Sequence, residues 1–378
     1  MRYHLEKRSK RSWTIVIDLG QDPVTQTRKR RYVAVEGTKA KAEAEAQRLL
    51  AEMQYGAYVE PSKLTAGQWL KQWLEENKSK LAPRTYESYG QMLRLHLLPT
   101  LGGIQLQKLT ASHIAAYKAE KLKTLSPRTV AYTMTILSAA LKKAVIPYKL
   151  IKENPAAYVE KPAYKKNKFT VLSEAEAGHL LDVAAKTHYY PVILTAIYTG
   201  MRLGEITGLK WEDIDLEKGI INVQRQLQLL RETKENTELG PKDESYGAIP
   251  IPQELIDELK KLKTGKSPGY VFTTSNGTPF LQRNLHRAIK KIAKEAGFPG
   301  LRPHDLRHTC ASLLLAQGVP LPNVQNILRH KDAYTTAKMY SHPLPRWQKE
   351  AAERLAAAIH DGRQYGDDLP PDGDNTKK

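Results

Sequence analysis

The chain has 378 residues, a formal net charge of +19 and a pI of about 9.6, with 41% hydrophobic residues, so a full core can form. That length fits two or three domains, and that charge points to nucleic acid before a membrane surface. The single cysteine, Cys310, excludes a disulfide framework and a cysteine-based zinc site. No apolar run reaches the roughly 18 residues of a spanning helix, and the N-terminus lacks an apolar signal segment, so a cytoplasmic, DNA-associated protein is expected.

The charge is uneven. Residues 1–60 carry +4, residues 61–168 carry +13, residues 169–360 carry +4, and residues 361–378 carry −2. The middle third therefore holds most of the field, as in a binding module joined to one with a specific site.

Alternation predicts strands at Trp13–Ile17 and Arg31–Val35, with a turn at Gly20-Gln21-Asp22-Pro23. Thr38 caps a predicted helix over about 39–54. Basic clusters containing Lys10, Arg11, Arg30 and Arg31 flank these strands. A two- or three-stranded ribbon fits the DNA major groove; a basic but solvated hairpin is the alternative. Residues 58–62 read as a linker.

Residues 64–160 read as all-helical. Thr65 caps a helix carrying Trp69, Leu70, Trp73 and Leu74. Leu81-Ala82-Pro83-Arg84-Thr85 and Leu125-Ser126-Pro127-Arg128-Thr129 repeat one motif, each ahead of a helix (about 84–97 and 128–146). Arg84 and Arg128 fall in first turns, against the helix dipole. Facing a phosphate would justify them, since helix N-termini attract phosphate; convergent capping is the competing explanation. Residues 161–168 form a basic linker.

In residues 169–360, Ser173 caps a helix, and an apolar helix over about 190–198 breaks at Thr199-Gly200. Arg202 follows, with Glu205 one turn on and able to hold its guanidinium. Ile220–Val223 and Ala248–Ile251 read as strands, joined by a polar connection read as a long, mobile hairpin loop containing Lys234 and Lys242. Asn276-Gly277 is a turn, and a helix over about 282–296 ends at Gly297. A helix over about 304–316 places Leu306, Cys310, Leu313 and Leu314 on one side and His304, Arg307 and His308 on the other. That second side is either a solvated face or a paired imidazole and guanidinium suited to a tetrahedral oxyanion. His304 and His308 also have metal-ligand spacing, but no further ligand cluster accompanies them. Gly318 ends this helix, Pro322 opens a short one to about 329, and Tyr340 lies near the end of the next. An amphipathic helix follows over about 347–360, and 361–378 is too polar to fold.

Arg202, Lys242, His304, Arg307, His330 and Tyr340 occur in that order. With Thr199-Gly200-Met201-Arg202-Leu203-Gly204-Glu205, Pro241-Lys242 ahead of Ile249-Pro250, His304-Asp305-Leu306-Arg307-His308-Thr309, Leu328-Arg329-His330 and Tyr340-Ser341-His342, the chain resembles the tyrosine recombinase, or phage integrase, family. The likeness extends to integrases of temperate phages and conjugative transposons. It implies a multidomain fold. Residues 1–60 would be a small α+β arm-type DNA-binding domain, 64–160 an all-α core-DNA-binding domain, and 169–360 a mainly-α catalytic domain with a small antiparallel sheet. It also implies double-stranded DNA with core and arm sites, a homotetramer exchanging strands through a Holliday junction, docking of the last helix on a neighbouring protomer, accessory DNA-bending proteins as further partners, and a bacterial or phage setting.

Two departures stand out. The family usually has a glycine before its third-motif His, where this chain has Arg329; an extra phosphate contact and a harmless replacement are the two explanations. It usually has an arginine shortly before the Ile-Pro strand, where this chain has Ser245-Tyr246-Gly247-Ala248. The second leaves Lys234 as a competitor to Lys242.

The residue types suit phosphoryl transfer without a metal or cofactor. Arg202 and Arg307 can grip the nonbridging oxygens, and His330 adds a donor. Tyr340 is the nucleophile of a 3′-phosphotyrosyl intermediate, with its phenolate favoured by the cations. His304 is the base or proton shuttle and Lys242 the acid for the 5′-oxygen. A type IB topoisomerase shares this chemistry, and a non-catalytic DNA-binding regulator would use the charge alone; neither accounts for all the features together.

Overall fold

The computed structural model describes residues 2–21, 27–54, 58–165, 169–230, 236–241, 245–263 and 269–329, together with 352, 353, 355–357 and 359. It divides into two compact units, Met1–Lys165 and Lys166–Lys378.

The first unit opens with an antiparallel sheet of β1 (Arg2–Ser9), β2 (Ser12–Gln21) and β3 (Arg28–Glu36), with β2 in the middle. The sequence pattern marked only the runs in β2 and β3. β1 alternates charged and apolar residues with its charges exposed, which hides an edge strand from a hydrophobicity reading. Ile15 and Ile17 of β2 are buried against Ala46 and Leu49 of α1 (Lys39–Gln54).

The all-α part holds α2 (Ala66–Glu76), α3 (Pro83–Met92), α4 (Leu98–Leu101), α5 (Ala111–Leu122) and α6 (Pro127–Val145). Thr65 caps α2 by accepting from Gln68 N, and Ser126 caps α6 by accepting from Thr129 N. The helix expected over 84–97 runs on through a π-helical stretch, Leu93–Leu97, into α4. Trp69, Trp73, Leu97, Ile114, Tyr117 and Leu137 are buried together; the Trp69 Nε1–H donates to Ala140 O at 3.0 Å, so its one polar atom is satisfied in the core.

The second unit begins with α7 (Glu174–Ala185) and α8 (Tyr190–Thr199). Helix α8 is apolar all round and is accordingly buried. α9 (Leu203–Gly208) leads to a three-stranded antiparallel sheet of β4 (Ile214–Asp215), β5 (Ile220–Val223) and β8 (Gly247–Pro250), with Ile221 opposite Ile249 and Val223 opposite Gly247. The β5–β8 connection is not the single loop expected. It contains β6 (Gln226–Leu229) paired with β7 (Asn236–Leu239), and Leu227 is buried, so this polar stretch does contribute to the interior.

Four helices complete the described unit: α10 (Gln253–Lys263), α11 (Gln282–Glu295), α12 (Pro303–Ala316) and α13 (Leu321–Leu328). Gly277, Gly297 and Gly318 have positive φ at the three predicted breaks. Of the final amphipathic helix, residues 352, 353, 355–357 and 359 are described and helical. The fold is therefore multidomain: a small α+β part, an all-α part and a mainly-α part with small antiparallel sheets.

One orientation differs from expectation. Helix α12 has no solvated polar side along its first three turns. Asp305, Leu306, Arg307, His308, Thr309, Cys310, Ala311 and Ser312 are all buried, and only His304 is exposed. The wheel separated the residue types correctly, but the helix is enclosed on both sides and its polar groups meet protein rather than water.

Candidate active site

The Thr199-Gly200-Met201-Arg202 turn is built by local chemistry. Thr199 Oγ1 donates to Thr195 O within α8 and accepts from Met201 N at 3.2 Å. Gly200 ends α8 in the left-handed region, φ 58°. A Cβ there would run into Leu328 Cδ2 and lie 3.3 Å from Cys310 Sγ, so both the backbone and the packing demand glycine. The chain then re-enters a helix with Arg202 at the N-cap of α9.

Glu205 folds back on that cap. Its Oε2 accepts from Arg202 N at 2.9 Å and its Oε1 from Arg202 Nη1 at 2.7 Å. Glu205 is 1% exposed, while the Arg202 side chain is 22% exposed, so the carboxylate forms the back wall and the guanidinium keeps an open edge. The same device heads α12, where Asp305 accepts from Arg302 N at 3.0 Å and from Arg302 Nη2 at 2.8 Å. A second acceptor for Arg202 Nη1 is Ser245 Oγ at 2.9 Å. Ser245 stands in the departure ahead of Ile249, and nothing in its residue type marked it as an arginine partner.

Arg307 is held by backbone. Its Nη1 donates to Gly200 O at 2.5 Å and its Nη2 to Leu328 O, so one guanidinium joins the end of α8 to the end of α13. Burial, and then Arg202 nearby, pulls its pKa down to about 10, still cationic at neutral pH. His304 lies on the first turn of α12. Although part of its surface is exposed, partial desolvation of its ring, and then the charges of Arg307 and Arg202, hold it below the usual imidazole range and keep it mainly neutral at pH 7. His308 stacks on Phe169 at 4.4 Å and meets His304 edge-on at 4.9 Å; burial and His304 push it down to about 4. Cys310 is a core residue, as expected, with its thiol pushed up to about 12 by burial.

Arg329, expected to be an extra phosphate contact or a harmless replacement, is buried and ion-paired. It occupies the C-cap of α13 at φ 55°, a left-handed position that a glycine takes without strain. Its side chain is 3% exposed, and its Nη2 donates to Glu205 Oε2 at 2.6 Å. Two arginines thus share one buried carboxylate.

A fold of this kind, with the half-open Arg202 and the buried Arg307 converging beside His304, agrees with the likeness of the chain to known proteins. A family model for the phage integrase family matches residues 170–346, and one for the phage integrase N-terminal SAM-like domain matches residues 65–122. The chain belongs to the phage integrase family of tyrosine recombinases. Its activity is that of this family, site-specific recombination by breaking and rejoining DNA strands. A XerC-like tyrosine recombinase of Caldanaerobacter subterraneus subsp. tengcongensis is 28% identical, over 92% of this chain and 97% of that protein. The ICEBs1 integrase of Bacillus subtilis is 24% identical, over 91% and 96%. Among solved structures, a Tn1549 transposon integrase in complex with a circular intermediate DNA superposes with a TM-score of 0.68 at 19% identity, covering 77% of this chain and 99% of that one. A lambda integrase tetramer bound to a Holliday junction superposes with a TM-score of 0.59 at 18% identity, covering 89% and 94%. These last two likenesses concern the fold.

Of the six residues matched to the recombinase motifs, the structure brings Arg202, His304 and Arg307 together. Lys242, its competitor Lys234, His330 and Tyr340 lie outside the described residues. The residues that precede Lys242 and His330 in the chain are described. Leu328 and Arg329, immediately before His330, hold Arg307 and Glu205. The β6–β7 pair, which leads into the segment with Lys242, is fastened at its base by Arg225 to Asp213 at 2.5 Å and by Lys210 to Glu238 at 2.9 Å.

In the first unit, Lys10 and Arg11 are exposed in the β1–β2 turn, Arg30 is exposed on β3, and Arg84 and Arg128 are exposed in the first turns of α3 and α6. Arg31 is engaged locally: its guanidinium lies 4.6 Å from the Tyr58 ring centroid and pairs with Glu60 at 3.2 Å. Among the described residues no group of histidine, cysteine and carboxylate side chains has metal-binding geometry, and no helix is long and apolar enough to cross a membrane.

Proposed function

We propose that this recombinase integrates and excises a mobile DNA element, and that Arg202, Arg307, His304, His330, Lys242 and Tyr340 carry the chemistry. The observation that supports this most is the way the two arginines are held. Each is fastened from behind by buried acceptors, Glu205 and Ser245 for Arg202, Gly200 O and Leu328 O for Arg307. A guanidinium has five N–H donors, so two fixed acceptors leave others for the oxygens of a phosphate. Cations fixed in advance, in a partly dry site, stabilise charge building on a transferring phosphoryl group without reorganising.

The reaction then runs as follows. The Tyr340 hydroxyl attacks the scissile phosphorus and the bond to the 5′-oxygen breaks, leaving a 3′-phosphotyrosyl link and a 5′-hydroxyl. His304, neutral at pH 7, takes the phenolic proton. Lys242 gives a proton to the leaving 5′-oxygen; Lys234 is the competing donor. Attack by the 5′-hydroxyl of a second strand reverses each step and releases Tyr340. The ester retains the bond energy, so neither a nucleotide triphosphate nor a water nucleophile is needed.

By likeness to the integrases, residues 1–60 serve arm sites through Lys10, Arg11, Arg30 and Arg31, residues 64–160 clasp core sites with Arg84 and Arg128 facing phosphates, and residues 169–360 catalyse. The working form is a tetramer on DNA. Exposed Leu355 and Ile359 on the last helix suit docking on a neighbouring protomer, and DNA-bending proteins complete the assembly.

Nicked suicide DNA carrying candidate sites tests this reading, because loss of the short 5′ fragment traps the covalent product. Arg307→Ala should still bind the DNA but form covalent product about 10²–10³-fold more slowly. Unchanged covalent yield in that variant would overturn the phosphate grip.

A further inference from the structure

The two places where the sequence departs from its family meet in space. Arg329 stands where a glycine is usual, and Gly247 stands in the stretch where an arginine is usual. Gly247 lies in strand β8, paired with Val223, and is not among the glycines with positive φ, so its backbone does not require glycine. The reason for a glycine there is spatial. A Cβ at position 247 would lie 3.0 Å from Cδ and 3.2 Å from Cγ of Arg329, closer than such contacts ordinarily come. Arg329, by contrast, holds a left-handed φ of 55° that favours glycine, so its strain must be compensated by what its side chain does. What it does is run its stem across Gly247 and place Nη2 2.6 Å from Glu205 Oε2. Glu205 in turn fixes Arg202 through both its oxygens.

We propose that Arg329 is a positioning residue for recombination, acting through Glu205 on Arg202, and that it and Gly247 form a reciprocal pair in which one position supplies the guanidinium and the other the room for it. Without Arg329, the buried Glu205 carboxylate has lost one of its two cations and draws more strongly on Arg202, turning that guanidinium toward the wall and away from the phosphate. The same link ties Arg329, at the end of α13, to the residue that caps the start of α9. This rests on the role of Arg202 proposed above.

The test uses the full-length protein and single-turnover cleavage of nicked suicide DNA. Arg329→Gly should cleave about ten-fold or more slowly with DNA affinity changed by less than about two-fold, and Arg329→Lys should fall between. Gly247→Arg alone should also be slow, because its side chain meets the Arg329 stem. The double variant Gly247→Arg/Arg329→Gly should recover to within about three-fold of the unmodified protein. A second substrate separates positioning from loss of structure. With a methylphosphonate at the scissile position, the oxygen charge that Arg202 neutralises is removed, so the Arg329→Gly defect should shrink. A defect equal on both substrates, a double variant as slow as the singles, or Arg329→Gly cleaving at the full rate would each overturn the proposal. Arg202→Ala, run alongside, distinguishes the two failures: full cleavage there overturns the role of Arg202 itself, whereas cleavage lost there but kept in Arg329→Gly overturns only the role of Arg329.

Discussion

Glu205 and Arg202 are joined twice, by a 2.7 Å contact between carboxylate and guanidinium and by a 2.9 Å bond from the Arg202 backbone N–H to the other carboxylate oxygen. The carboxylate therefore caps the start of α9, orients the Arg202 guanidinium and neutralises buried charge at once. Removing it leaves Arg202 and the buried Arg329 without their shared counter-charge. Glu205→Ala should lower the stability of the protein by about 3–5 kcal/mol, and Glu205→Gln by less, since an amide oxygen still accepts. Urea denaturation of both variants checks this. A Glu205→Ala variant as stable as the unmodified protein would show that the cluster finds its compensation elsewhere.

Gly200 joins the same site by its backbone. Its carbonyl receives Arg307, and its φ of 58° is unfavourable for any side chain. Gly200→Ala should cost about 2–4 kcal/mol, from left-handed strain and from crowding against Leu328 and Cys310. Cleavage should fall with it, because the acceptor of Arg307 moves. Thermal denaturation and suicide-substrate cleavage, measured on one preparation, read both effects.

His308 gives stability a pH dependence of definite sign. Its folded pKa, about 4, lies below the ordinary 6.5, mainly through burial, with His304, Arg307 and Arg302 adding to the effect and Asp305 opposing it. Between those values the unfolded chain binds the proton and the folded chain does not. The stabilisation is therefore fully present above pH 6.5 and is lost as pH falls toward 4, a change on the order of 2–3 kcal/mol. Denaturant titrations at pH 7 and pH 4.5 should show the loss, and His308→Gln should reduce the difference between them.

The choice between Lys242 and Lys234 can be read from the leaving group. If Lys242 protonates the 5′-oxygen, Lys242→Ala should cleave ordinary DNA about 10²–10⁴-fold more slowly. A 5′-bridging sulfur leaves as thiolate without needing that proton, so the same variant should recover on such DNA. Lys234→Ala should behave normally on both substrates. The reverse pattern would assign the proton to Lys234.

Much of the fold is legible in the amino-acid sequence. Capping residues, breaking glycines and apolar runs located the helices closely, because Thr65, Ser126, Ser173, Gly200, Gly297 and Gly318 act through local geometry that the chain itself encodes. The order and types of Arg202, His304 and Arg307 singled out three side chains that the structure brings together. What the sequence did not disclose depends on contacts far apart along the chain. The edge strand β1 gives no clear hydrophobic signal because its charges are exposed. The enclosure of α12 comes from Phe169 and α13 covering a side that the helical wheel shows as polar. The roles of Ser245 and Arg329 arise only when β8 and α13 come together beside Glu205, and no local pattern announces a buried arginine at a glycine position.

In the proposed reaction, Tyr340 attacks DNA within a site whose phosphate grip is Arg202 and Arg307. Trapping the protein on nicked suicide DNA, digesting the covalent product and sequencing the modified peptide by mass spectrometry tests it directly. A single 3′-phosphotyrosyl adduct on Tyr340 and no covalent product from Tyr340→Phe are expected. An adduct on another residue, or covalent product persisting in Tyr340→Phe, would contradict it.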